Sequence, residues 1–256
     1  MIRIFRQIRR KLIEEGSVKS YIKYAFGETV LVVLGILIAL QINNWNQDRI
    51  NDRALKEYLV KIDVHTQEDM KVLDTMILYR SQLADLCKKA RHHILNKTDK
   101  EQIILLMSCG AVFADFYFKP QTGGYEALKN SPYFGKINNT PLDDLLAEYH
   151  GIVEEIAENE KSYNEYMIKQ EAHLSTQFDK SLILASAFVP QDSLANYPIP
   201  PNEYFETFGA YTSMPSYRNV IGLAAFQFDA MVDQYKKLKG VGQKVIQAIE
   251  DRVEIN

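Results

Sequence analysis

Cysteine is scarce in this chain: Cys87 and Cys109 are the two in 256 residues. That is too few for a disulfide-dense scaffold or a four-thiolate zinc site. Proline and glycine are also sparse, at 8 and 12 residues, which excludes a collagen-like sequence. Neither sign of charge dominates, with 30 basic against 33 acidic side chains, so no excess of base points to nucleic acid. The common catalytic spacings are missing too: no phosphate loop G-x-x-x-x-G-K-[ST], no G-x-G-x-x-G, no H-E-x-x-H, no G-x-S-x-G and no C-x-x-C. No glutamate is followed three residues later by histidine, which removes the usual di-iron pattern of helical bundles. The expectation is a protein without a catalytic residue, metal or cofactor.

What the chain does have is apolar residues gathered near its start. The run from Thr29 to Leu40 holds no charge over twelve residues. As a helix, the segment from Tyr24 to Trp45 would span about 33 Å, enough to cross a bilayer. Tyr24 and Trp45 fall at its two rims, where amphipathic aromatics settle. Seven basic residues precede the span, from Arg3 to Lys23, whereas Arg49, Arg53, Lys56 and Lys61 are the four in the next twenty. The positive-inside rule then puts residues 1–23 in the cytoplasm, 24–45 in the membrane and 46–256 outside. The outer portion carries 23 basic and 30 acidic residues, so positive charge is segregated beside anionic lipid. No small-x-small pair follows the apolar run, which reads as an uncleaved signal anchor.

Two further features belong to the membrane. Ile4, Phe5, Ile8 and Leu12 recur at helical spacing, as in a helix lying in the headgroup layer; a frayed basic tail is the competing reading. Glu28 is a carboxylate inside the span, close to its cytoplasmic edge. It suits an interfacial or structural role, or a specific ion or partner contact. Gln41, Asn43, Asn44 and Trp45 join it as candidate membrane or oligomer contacts.

Gly27-Glu28, followed by Leu31-Val-Val-Leu-Gly-Ile-Leu-Ile-Ala-Leu-Gln-Ile-Asn-Asn-Trp-Asn46, resembles the signature of an uncharacterised family of Gram-negative bacterial membrane proteins. The basic opening from Met1 to Arg10 is similar to that family's start, and Tyr125 to Ser131 is a weaker echo. The resemblance implies a single-pass inner-membrane protein with an exported, periplasmic helical domain, and implies no activity.

The fold class expected for the exterior is all-α, an elongated antiparallel bundle. Leu55, Leu59, Ile62, Thr66, Asp69, Leu73, Met76, Arg80, Leu83, Cys87, Ala90 and Ile94 follow a strict 4-3 alternation, the seam of one long helix. Thr66, Asp69 and Arg80 interrupt its apolar character. Nothing between Trp45 and Leu55 breaks a helix, so the span is expected to continue into this one, coupling membrane and exterior rigidly. Residues 96–99 read as a turn and 100–109 as a returning helix. Cys87 and Cys109 are each eleven residues from Thr98, opposite one another in such a hairpin. A disulfide is expected, with two buried free thiols as the alternative. A short helix is expected from Gly124, and a long one from a Thr140 cap with Pro141 at its first position, reaching about Ser181. Val189 to Asn202 holds four prolines and reads as a long loop. A last helix is expected over Ser216 to Arg252, with Gly240 and Gly242 as kink points.

Candidate sites are few. Phe116, Tyr117, Phe118 and Tyr125, around Gly123 and Gly124, form the best candidate recognition surface, against the plainer reading of a buried aromatic anchor. His150 and Glu154 sit four apart and could face one metal, with a plain acidic, solvated helix face as the competing reading. His92 and His93 lie near Cys87, yet histidine is favoured at any helix C-terminus. The functional expectation is a non-enzymatic envelope scaffold, sensor or partner-binding module, whose partners are the bilayer and a second copy or another envelope protein. The alternatives are a homo-oligomeric membrane assembly, able to conduct ions, with Glu28 inside, and an enzyme with an unrecognised site.

Overall fold

The computed structural model describes residues 18–183 and 200–255, together with Gln7 and Arg10. The expected headgroup-layer helix and most of the proline-rich loop fall outside those residues. Every regular element among the described residues is helical, as the periodicity predicts. The chain divides into two units, Met1–Glu57 and Tyr58–Asn256.

The first helix, α1, is Val18–Leu95, 78 residues long. No proline occurs before Pro120, so no residue lacks the amide hydrogen that the helix ladder needs. Within the first unit it carries an 18-residue window of mean hydropathy 2.2, none of it buried. By length and composition, this helix can cross a membrane. Phe26, Leu31, Val32, Ile36, Leu37, Ile38 and Leu40 are all exposed there.

In the second unit the 4-3 seam is the buried face of α1. Leu59, Ile62, Thr66, Asp69, Leu73, Met76, Arg80, Leu83, Cys87 and Ala90 are all buried. The helix ends where Lys97 takes a left-handed conformation (φ 59°) and the Thr98 amide reaches back to the His93 carbonyl. Such a reversal gives the last carbonyls donors they would otherwise lack. His93 Nδ1 meets Thr98 Oγ1 at 2.9 Å, and Asn96 Nδ2 donates to the His92 carbonyl at 2.8 Å.

The returning segment departs from a single helix. It is a 3-10 turn at Asp99–Gln102, then α2 (Ile103–Ser108), then a second 3-10 turn at Cys109–Phe113. Beyond it Ala114 is extended, and the chain carries no helix or strand as far as Thr122, which is back in the helical region. Helix α3 (Gly123–Lys129) follows, and after a 3-10 turn at Phe134–Lys136 comes α4 (Pro141–Ser175). Thr140 is the residue before α4, but its hydroxyl donates to the Ile137 carbonyl rather than capping the helix. The capping contact runs the other way, from the Asn139 amide to Asp143 Oδ2 at 3.0 Å. Helix α4 stops six residues before the expected Ser181. Asp179 Oδ1 accepts the Ser181 amide at 2.8 Å, so a new helical turn begins there instead.

Residues 203–215 carry no clear sequence signal, yet most of them are helical: α5 is Pro201–Ser213, with Pro200 before it and proline at its first position. Its buried Tyr204, Phe208 and Tyr211 repeat at helical spacing. The last helix, α6, is Pro215–Ile255 and runs through both candidate kink glycines. A Cβ on Gly242 would lie 3.2 Å from Tyr149 Cε2 and 3.3 Å from Thr66 Cγ2, whereas one on Gly240 meets nothing within 4 Å. Gly242 therefore serves close helix packing.

Helix α6 runs antiparallel to both α1 and α4. Against α1, Asp74 pairs with Lys239, Arg80 with Tyr235 and Lys88 with Asp229, and just past its end Asp99 of the 3-10 turn pairs with Arg218. Against α4, Asn159 bonds Gln234 at 3.0 Å and the Tyr163 and Phe228 rings lie 4.9 Å apart. The core is the meeting of these three buried stripes, with Tyr163, Tyr217, Phe228 and Tyr235 almost wholly enclosed.

Candidate functional site

Residues 114–122 form a strap without helix or strand that follows α1 in the reverse direction. Four points mark its course. Cys109 meets Cys87, the Phe116 carbonyl meets Arg80, the Gln121 amide meets Asp69, and Gly124 meets His65 and Ile62. Such a segment has no ladder of its own, so its backbone polar groups need partners from elsewhere. The polar interruptions of the α1 seam supply them.

Arg80 is the centre of the arrangement. Its Nη2 donates to the Phe116 carbonyl at 2.8 Å and its Nε to the Tyr235 hydroxyl at 2.7 Å. The guanidinium also lies 4.8 Å from the Phe228 ring centroid, over its face. Glu160 stands 3.6 Å from Arg80 Nη2. Its Oε2 accepts the Phe118 amide at 2.9 Å, and its Oε1 accepts the Tyr235 hydroxyl. Asp69 plays the same part further along: Oδ1 accepts the Gln121 amide and Oδ2 the Tyr149 hydroxyl, each at 2.9 Å. Three buried ionisable side chains thus hold one short segment of backbone.

The electrostatics follow from burial. Desolvation pushes Glu160 above the ordinary carboxylate range, against the bonds from Tyr235 and the Phe118 amide and the charge of Arg80. Asp69 is raised for the same reason, against its bonds from Gln121 and Tyr149 and the nearby His65. Tyr149 and Tyr235 are pushed well up, first by burial and then by the neighbouring carboxylates. Both phenols therefore remain donors at any ordinary pH.

The sequence candidates separate on this frame. Phe118 and Gly124 are buried, Phe116 is half-buried against Tyr79 and Arg80, and Gly123 is exposed. Gly124 is needed for a close approach: a Cβ there would lie 3.2 Å from His65 Nδ1 and 3.3 Å from the Ile62 backbone nitrogen. The Gly124 amide donates to His65 Nδ1 at 3.3 Å. Tyr125 stacks on His150 with centroids 4.0 Å apart, and burial lowers the His150 pKa. Tyr117, 40% exposed, is the aromatic side chain that this segment leaves open.

Among the described residues, no group of three histidine, cysteine, aspartate or glutamate side chains is placed to hold a metal. His92 and His93 bond to the turn that ends α1. Cys87 and Cys109 are free, buried thiols hydrogen-bonded to each other. In the first unit, Glu28 is half-buried and Gln41, Asn43, Asn44 and Trp45 are exposed. Arg49 lies 5.9 Å from the Trp45 ring centroid.

No sequence motif marks Glu160 or Tyr235. The signal for Glu160 was present as a charged residue at the stripe position between Ile156 and Tyr163. Its partner, Arg80, stood at an equally anomalous position on another helix.

A family of unknown function, DUF6090, matches residues 28–172. The chain belongs to that family. The DUF6090 region takes in the apolar stretch of α1, the strap and all three of its ionisable anchors, while Tyr235 and the rest of α6 lie beyond it. No curated protein and no solved structure matches the chain.

Proposed function

We propose that this DUF6090 protein is a non-enzymatic, membrane-anchored module that presents a helical domain to a protein partner in the bacterial envelope. Its N-terminus lies in the cytoplasm, residues 24–45 cross the inner membrane, and residues 46–256 occupy the periplasm. The observation that carries this reading is the apolar window of α1, which has no buried residue and so has its solvent supplied by lipid. The buried ionisable groups Asp69, Arg80 and Glu160 support the non-enzymatic part, because each is engaged with backbone or tyrosine rather than facing an opening.

Two measurements on the full-length protein test it. Protease added to intact spheroplasts should digest residues 46–256; complete protection there, with digestion in inverted vesicles, reverses the orientation. Native mass spectrometry after gentle extraction should find one copy bound to a different protein. A symmetric homo-oligomer would instead favour the assembly with Glu28 inside, and robust turnover by the purified chain would favour an enzyme.

A further inference from the structure

Cys87 and Cys109 occupy a place where neither has freedom to leave. Cys87 is a seam residue of α1, enclosed between Leu83, Ala84 and Ala90, all buried. Cys109 opens the 3-10 turn from which the strap departs. Its backbone is held on both sides by tyrosine hydroxyls: Tyr217 donates to the Leu106 carbonyl, and Tyr163 to the Val112 carbonyl at 3.1 Å. The Phe113 and Tyr217 rings stack 5.3 Å apart beside them. Both cysteines are fully buried, and their side chains meet as free thiols. The strap's register agrees independently, because the contacts at Gly124, Gln121 and Phe116 step along α1 toward Cys87.

We propose that Cys87 and Cys109 close an intrachain disulfide that fastens the head of the strap to α1. Two buried thiols that meet on separately anchored backbones are the arrangement a disulfide joins. No third ligand stands by them among the described residues, so a metal does not compete for the pair. The inference rests on the periplasmic reading above, since an oxidising compartment is where such a bond persists.

The chemistry requires a disulfide oxidant, such as an oxidised dithiol protein or glutathione disulfide. One cysteine thiolate attacks that disulfide, forming a mixed disulfide and releasing one oxidant thiol. The second cysteine thiolate then attacks the cysteine sulfur of the mixed disulfide and releases the other thiol. Overall, two protein thiols lose two protons and two electrons, and the oxidant gains both. The interaction with Cys109, and then burial, push the Cys87 thiol up, and the folded pair is shut from solvent. Closure therefore belongs to the folding chain, before the two tyrosines seal the site.

The test counts thiols in the full-length protein, acid-quenched in its membranes, denatured, alkylated without reductant and weighed intact. Zero alkylated cysteines, rising to two after reduction, is the expected result. Two alkylated cysteines in the unreduced sample would overturn the native bond. A second arm then separates the causes: the purified, reduced protein is unfolded and refolded in a glutathione redox buffer. Closure there would retain the pairing geometry and defeat the compartment assignment. Two thiols remaining in that buffer would defeat the pairing itself.

Discussion

Arg80 and Glu160 stand 3.6 Å apart with 3% and 1% of their side chains exposed, and the Phe116 carbonyl and Phe118 amide are bound to one each. A buried pair of this kind fixes geometry more surely than it adds stability, because desolvation offsets most of the attraction. Removing one member leaves the other uncompensated. Arg80→Met should therefore cost about 3–5 kcal/mol, as should Glu160→Gln within a factor of two. The double substitution should cost at least 1 kcal/mol less than the sum of the singles, by the usual range of coupling for contacting residues. Urea unfolding in detergent reads all three, and additive losses would sink the coupling.

The raised carboxylates have a consequence in pH. A carboxyl group whose folded pKa lies above its unfolded value binds protons more tightly when folded, so its contribution to stability falls as pH rises from the unfolded pKa, near 4, through the folded one. Asp69 and Glu160 are both raised by burial. Asp69→Asn should accordingly be less harmful at neutral pH than at pH 4, measured as the difference in unfolding free energy from the parent chain. An equal penalty at both values would contradict the raised pKa.

His150 works in the opposite sense. Its pKa is depressed by burial against Tyr125, so the unfolded chain takes up the proton first. Stability is present above the unfolded value, about 6.5, and is lost as pH falls through the folded one. His150→Phe keeps a ring on Tyr125 and should flatten the stability curve between pH 7 and pH 5. A variant that loses stability on acidification as steeply as the parent would show that His150 does not carry the effect.

Two glycines of α6 should behave oppositely. Gly240 has open space at its Cβ position, and Gly240→Ala should stabilise by about 0.4–1 kcal/mol through the unfolded chain. Gly242 faces Tyr149 and Thr66 at 3.2 and 3.3 Å, and Gly242→Ala should destabilise by about 1–3 kcal/mol through overpacking. Thermal unfolding of the two variants side by side checks the contrast; a rise in Tm for both would mean that the α4–α6 contact yields freely.

Much of this architecture is written in the order of residues. Hydropathy and the absence of proline before Pro120 are enough to specify α1. The 4-3 spacing from Leu59 to Ala90 names its buried face. Local rules reach this far because helix periodicity depends on near neighbours alone. Local rules also locate α3 and the start of α4, where Pro141 opens the helix.

The strap was beyond such rules. A segment with no ladder has no period, and its stability comes from Asp69, Arg80 and Glu160, which lie 52, 36 and 42 residues from the backbone groups they bind. In the sequence, Asp69 and Arg80 are flaws in an apolar seam, and Glu160 is one more acid in an acidic helix. Only folding, which brings α1, α4 and α6 together around residues 114–122, turns those departures into partners. A buried charge is tolerated where a distant backbone group or charge compensates it, and that distance is a property of the tertiary structure alone.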